Sequence, residues 1–168
     1  MSPWLDERQR NGGIDEVPVP GRGRLWLCGK HFIGPDPEVA LERTGAAVVV
    51  CLNERSELEE RYPEYVDWLL HTAADRAIWF PLHDMHAPPL DEVQPLFAEI
   101  ARRLDEDEGV IVHCGAGVGR AGTVAAALLM RRGLSLDDAL STVASSRPMA
   151  GPQTLAQALF LEELAASP

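Results

Sequence analysis

Cys114 and Arg120 stand at the two ends of a run in which Gly115, Gly117 and Gly119 alternate with Ala116 and Val118, inside the longer stretch GVIVHCGAGVGRAGT. Glycines spaced this way let successive backbone N–H groups turn toward one point, and a loop that opens a helix adds the positive end of the helix dipole. Such a loop cradles a tetrahedral oxyanion. The expected phosphate-binding set is therefore Gly115, Ala116, Gly117, Val118, Gly119 and Arg120. The dipole, the converging amides and the guanidinium all stabilise negative charge, which favours the thiolate of Cys114 as a nucleophile. Arg120 offers a planar fork that matches two phosphoryl oxygens, a geometry lysine does not reproduce.

Displacement of an alkoxide or phenoxide from phosphorus needs a proton donor, because either leaves poorly as an anion. The segment WFPLHDMHAPP supplies Asp84 on a proline-flanked loop that follows a strand, 30 positions before Cys114. That separation fits a crossover helix, and Asp84 is the expected general acid. The bland alternatives are a solvated loop aspartate and a small buried cysteine. A different functional alternative is the dinucleotide fingerprint, which Gly117, Gly119 and Gly122 also satisfy. That fingerprint calls for an acid at the end of a second strand about 20 residues on, whereas Asp137 and Asp138 fall in the first turn of an expected helix. His83, His86 and His113 could suggest a metal, but no further ligand cluster with structural spacing accompanies them, so no metal site is expected. His113 is expected instead to hydrogen-bond the loop backbone and support the thiolate. Cys51 is read as a buried strand cysteine rather than as the disulfide partner of Cys114.

The elements that must position these groups follow from the apolar pattern. Strand-like runs cover Leu25 to Cys28, Ala46 to Leu52, Ala77 to Leu82 and Val110 to His113. Helical patterns begin near Pro37, cover Glu54 to Arg61, Glu64 to Ala74 and Asp91 to Leu104, and supply three helices from about Arg120 onward. Gly133 reads as the residue just past the first of those three helices, and Ser135 as the cap of the next with Asp138 three residues on. The runs VVVCL and GVIVH are β-branched and continuous, as in strands buried on both faces. The expected fold is α/β, a central mostly parallel sheet of four to five strands flanked by helices on both faces. Residues 1–24, rich in Gly, Pro and charge, are expected as an extended lead-in, and 25–168 as one domain.

The chain has 168 residues, 26 acidic against 15 basic, and a formal charge of −11. This disfavours nucleic acid and anionic membranes as partners. Three widely spaced cysteines read as a reduced set, and the first residues MSPWLDERQRNGG contain no apolar stretch. No run of eighteen apolar residues occurs, and a cytoplasmic location is expected.

His113-Cys114, five residues and then Arg120, between a strand and a helix, resembles the signature of the cysteine-dependent protein tyrosine and dual-specificity phosphatases. The wider pattern is similar to the compact cyclin-dependent-kinase-associated group, through CLNERSELEERYPEYVDWL, PLHDMHAPP and GPQTLAQALFLEEL. The resemblance implies the phosphotyrosine protein phosphatase fold and a cysteinyl-phosphate intermediate without metal or cofactor. Cys114 would be the nucleophile, Asp84 first acid and then base, Glu57 the carboxylate that orients Arg120, and Gln157 the side chain that positions water. It implies a phosphorylated protein, or a small phosphate monoester, as partner. Phosphotyrosine and the shallower phosphoserine and phosphothreonine are all expected substrates, because no long recognition insertion deepens the cleft. Ala116 and Val118 are neutral where phospholipid-directed relatives add lysines. One departure stands out: Ala121 occupies the place of a Ser or Thr that helps the cysteine leave the phosphoenzyme, so slow release is expected unless Thr123 or water substitutes. A phosphoprotein-binding module without turnover and a sulfur- or arsenate-handling relative are the competing classes.

Overall fold

The computed structural model describes residues 11–167. A five-stranded sheet runs in the order β1-β2-β5-β3-β4, with β1 Ile14–Val17, β2 Arg24–Gly29, β3 Val48–Cys51, β4 Ala77–Trp79 and β5 Gly109–Cys114. All neighbours are parallel except β1, which runs antiparallel to β2 along one edge. The helices are α1 Lys30–Ile33, α2 Pro37–Thr44, α3 Arg55–Leu58, α4 Pro63–Asp67, α5 Leu90–Asp105, α6 Gly119–Arg131, α7 Leu136–Ser146 and α8 Leu155–Ala166.

Alternation along the central strands divides the core into two layers. Val48, Val50, Val110, Val112 and Cys114 face a cluster with residues of α5, α6, α7 and α8. Val49, Cys51 and Ile111 face Ile33, Leu41, Leu58 and Tyr65 from α1 to α4. Both faces of the sheet are thus covered, which is why its strands read as unbroken apolar runs. Asp36 caps α2 by accepting from the Val39 N–H, with Pro37 at the first helical position, and Ser135 caps α7 by accepting from Asp138 N–H. Gly133 follows α6 with φ +105°. Among the described residues, no helix is long and apolar enough to cross a membrane.

Three expectations are corrected. The lead-in through residue 24 contains β1, whose Ile14 and Val17 are buried. Its short IDEV run with two acids in the middle reads as polar but suits a protected edge strand. Residues 1–10 of that lead-in lie outside the described residues. The strand expected through Leu82 ends as a regular ladder at Trp79, because beyond it the register against β3 slips by one residue. Phe80 and Leu82 N–H still bond the Cys51 and Leu52 carbonyls at 2.9 Å each. The helix expected over Glu64 to Ala74 is α4 followed by a π turn at Trp68–Thr72 and a 3₁₀ turn at Ala74–Arg76.

Candidate active site

β5 lies between β2 and β3 and ends at Cys114, opposite Gly29 of β2. The carboxyl ends of parallel strands are where open α/β sheets present their sites. From Cys114 the chain turns through residues 115–118 into α6. Gly117 takes φ +74°, and a Cβ there would collide with the Cys28 carbonyl. Glycine is therefore required twice over, by conformation and by space. Cys114 sits at the floor of a cleft of about 330 Å³, which Gly115, Ala116, Val118, Gly119 and Arg120 also line. The other two cysteines are set apart: burial pushes the Cys28 thiol up, and that of Cys51 up to about 12.

Arg120 is 3% exposed and enters from the first turn of α6. Its Nη1 donates to Glu57 Oε2 and to the Leu82 carbonyl, both at 2.8 Å, and its Nη2 donates to Glu57 Oε1 at 2.7 Å. The fork is thus locked by a bidentate carboxylate, while Nε has no partner within the protein. Glu57 is itself pinned by the local fold, since Oε2 accepts from the Glu54 N–H at 2.7 Å across the first turn of α3. Burial pushes the Glu57 carboxyl up, but the Arg120 guanidinium and the Glu54 N–H outweigh it and the net shift is downward.

His113 is fully buried behind Cys114. Its Nδ1 lies 3.3 Å from the Cys114 carbonyl, which can only accept, so Nδ1 carries the proton and Nε2 accepts from Tyr65 Oη at 2.6 Å. Burial lowers its pKa from 6.5 to about 4, only partly opposed by the Cys114 carbonyl. Between those values the unfolded chain binds a proton that the folded chain refuses. Stability present above pH 6.5 should therefore be lost as pH falls toward 4, by on the order of 3 kcal/mol. Urea unfolding of wild type and His113→Asn at pH 7 and 4.5 tests this: the variant should lose that part of the slope, and equal slopes would exclude His113 as its source.

Asp84 projects from the loop after β4 with its side chain 63% exposed, accepts from the Met85 N–H at 3.0 Å, and stands 3.5 Å from Arg120 Nη2. The loop is clipped to the start of α8: Thr154 Oγ1 donates to the Met85 carbonyl at 2.8 Å, and Gln157 Nε2 to the His86 carbonyl at 3.4 Å. Gln157 is buried, its Oε1 accepting from the Gln153 N–H at 2.8 Å. Cys114, Arg120, Asp84, Glu57 and Gln157 thus meet in one cleft, with His113 directly beneath it.

Sequence reasoning missed three groups. Lys30, the chain's single lysine, lines the cleft and donates from Nζ to the Glu57 carbonyl at 3.2 Å. Gln153 also lines the cleft. Arg147 is buried beneath the loop and donates from Nη2 to the Ala116 carbonyl at 2.8 Å. Nothing local marks any of them, and only the solitary lysine offered a compositional hint. Thr123 does not fill the gap left by Ala121, because its hydroxyl donates to the Gly119 carbonyl at 2.7 Å within α6.

The alternatives also meet specific geometry. Among the described residues no strand follows β5, so the dinucleotide fingerprint lacks its acid-bearing strand, and a Cβ on Gly122 would collide with the Gly151 N–H group of the loop before α8. Among the described residues no three His, Cys, Asp or Glu side chains are grouped as metal ligands. His83 is instead 2.6 Å from Glu54 Oε1. Cys51 is level with His113 and faces the opposite side of the sheet from Cys114.

A family model described as "Swiss Army Knife protein, DSP-PTPase phosphatase domain" matches residues 35–159. Among curated proteins, the chain is 41% identical over 71 residues to the phosphatidylinositol 3,4,5-trisphosphate 3-phosphatase and protein-tyrosine-phosphatase PTEN1 of Arabidopsis thaliana, covering 40% of this chain and 17% of that protein. Among solved structures, Tk-PTP in its active form is 30% identical with a TM-score of 0.67, over 89% of this chain and 95% of that one. Kinase associated phosphatase, at 21% identity, shares the fold with a TM-score of 0.75 over 92% and 97% of the two chains. With its family model spanning most of the sheet and the whole phosphate loop, this chain belongs to the dual-specificity and tyrosine phosphatase domain family.

Proposed function

We propose that the protein is a metal-independent phosphatase that hydrolyses phosphate monoesters through a cysteinyl-phosphate on Cys114. The observation that carries this is the meeting of Cys114, the locked Arg120 fork and Asp84 over one glycine-rich cradle. The Cys114 sulfur attacks phosphorus in line, forming the S–P bond as the ester P–O bond breaks. Asp84 gives its proton to the leaving oxygen. Water oriented by Gln157 then attacks phosphorus and loses its proton to Asp84, the S–P bond breaks, and inorganic phosphate departs. The free Arg120 Nε and the loop amides hold the non-bridging oxygens throughout, where charge is greatest in the transition state.

Protein phosphotyrosine is the proposed substrate, with phosphoserine and phosphothreonine also admitted. Ala116 and Val118 bring no charge to the cradle, which favours these over polyanionic lipid headgroups. A chemistry that needs Cys114 as a free thiol suits the reducing cytoplasm, the proposed location. The test is turnover of para-nitrophenyl phosphate in the presence of a chelator, followed by acid quench and mass analysis of the peptide containing Cys114. A phosphoryl adduct on that cysteine is expected. Turnover without any adduct, and unaffected by alkylation of Cys114, would overturn the mechanism.

Asp84→Asn should leave para-nitrophenyl phosphate, whose leaving group needs little help, far less affected than phenyl phosphate, for which kcat should fall about a hundredfold. Equal losses on both would remove Asp84 from the acid role. Ala121 is fully buried and carries no hydroxyl, and Thr123 is committed to its helix, so breakdown of the phosphoenzyme has no hydroxyl assistance. A pre-steady-state burst is expected in the wild type, and Ala121→Ser should raise steady-state kcat by about tenfold while shrinking the burst. An unchanged kcat would show that release is not limited there.

A further inference from the structure

A phosphate cradle works only while its N–H groups face the anion, and a planar trans peptide that turns its N–H inward turns its carbonyl outward. Outward carbonyls in a buried loop need donors of their own. The Gly115 carbonyl accepts from the Lys30 N–H at 2.9 Å, a main-chain contact fixed by β2. The Ala116 carbonyl depends on a side chain, Arg147 Nη2 at 2.8 Å. The plane held this way is the one preceding Gly117, which alone among residues 115–119 takes a positive φ, +74°. Were that plane to flip, the Gly117 N–H would leave the cradle and a carbonyl dipole would point at the anion.

Arg147 is 4% exposed, and its charge is matched inside the protein. Nη1 stands 2.9 Å from Asp15 Oδ2 and also reaches the Gly12 and Gly13 carbonyls at 3.3 Å each. Asp15 lies on the edge strand β1, far from the signature in sequence. We propose that Asp15 and Arg147 act together as a positioning pair for the phosphate loop: Asp15 neutralises and aims the guanidinium, and the guanidinium holds the Ala116–Gly117 peptide so that the Gly117 N–H faces the anion. This rests on the phosphate-site reading above. Neither residue touches substrate, and the N-terminal strand thereby becomes part of the catalytic apparatus.

Arg147→Met, Arg147→Lys and Asp15→Asn are compared with wild type by two readouts at a temperature where all are folded. One is kcat/KM on para-nitrophenyl phosphate, and the other is binding of inorganic phosphate measured by calorimetry. Arg147→Met should weaken phosphate binding and lower kcat/KM by about tenfold or more, Asp15→Asn should do the same to a lesser degree, and Arg147→Lys should recover part of the loss. Variants that melt earlier yet bind phosphate and turn over as wild type does would reduce the pair to a structural role and overturn the proposal. If Arg147→Met fails to fold, Asp15→Asn and Arg147→Lys decide on the same readouts. A wild type that binds phosphate without turnover would sink the phosphatase reading alone, since phosphate affinity would still judge the pair. A wild type that does not bind phosphate would sink both.

Discussion

Cys114→Ser is expected to lower kcat on para-nitrophenyl phosphate by on the order of ten-thousandfold or more, while inorganic phosphate still binds. An alcohol is intrinsically a far weaker acid than a thiol, and the anion-stabilising cradle around residue 114 does not close that gap. The serine hydroxyl would remain protonated and would be a weak nucleophile. In the proposed site the phosphate contacts are made by backbone amides and Arg120, so affinity should survive the exchange. The two measurements together separate loss of the nucleophile from loss of the site. Turnover within tenfold of wild type would remove the thiolate from the reaction, and a simultaneous loss of phosphate binding would mean that the variant had disturbed the loop.

Arg120→Lys is expected to cost about a thousandfold in kcat, or ~4 kcal/mol of transition-state stabilisation, although the charge is kept. The guanidinium makes three hydrogen bonds, two to Glu57 and one to the Leu82 carbonyl, before any ligand arrives. An ammonium cannot make these and still offer two donors in a fixed plane to phosphoryl oxygens. Glu57 would also be left with part of its carboxylate unpaired in a half-buried site. Steady-state kinetics with a parallel phosphate inhibition series would check this. A loss confined to KM would indicate that Arg120 binds the ground state alone.

The fold and the central loop of the candidate site were legible because their signals are local. Continuous β-branched runs mark VVVC and VIVH as central strands, and seven consecutive residues from Cys114 to Arg120 carry the proposed nucleophile, cradle and clamp. Asp84 came from its proline-flanked loop after a strand, Glu57 and Gln157 from the family resemblance, and the geometry does bring the three to the same cleft. What escaped was non-local or weakly patterned. β1 has a single apolar residue at each end and acids between them, which in isolation reads as coil. Arg147 lies 31 residues past the carbonyl it serves, a pairing set by how α7 packs rather than by any spacing in the chain. The π turn at Trp68–Thr72 breaks a pattern that is helical in sequence, and the Ala73 N–H bonds the Trp68 carbonyl at 2.8 Å across it.

The loop bearing Asp84 is fastened at Met85 to Thr154, which caps α8, and at His86 to Gln157 in its first turn. Two moorings of this kind limit how far the segment can swing away from the cleft, and part of the entropy of ordering it is lost during folding rather than on ligand binding.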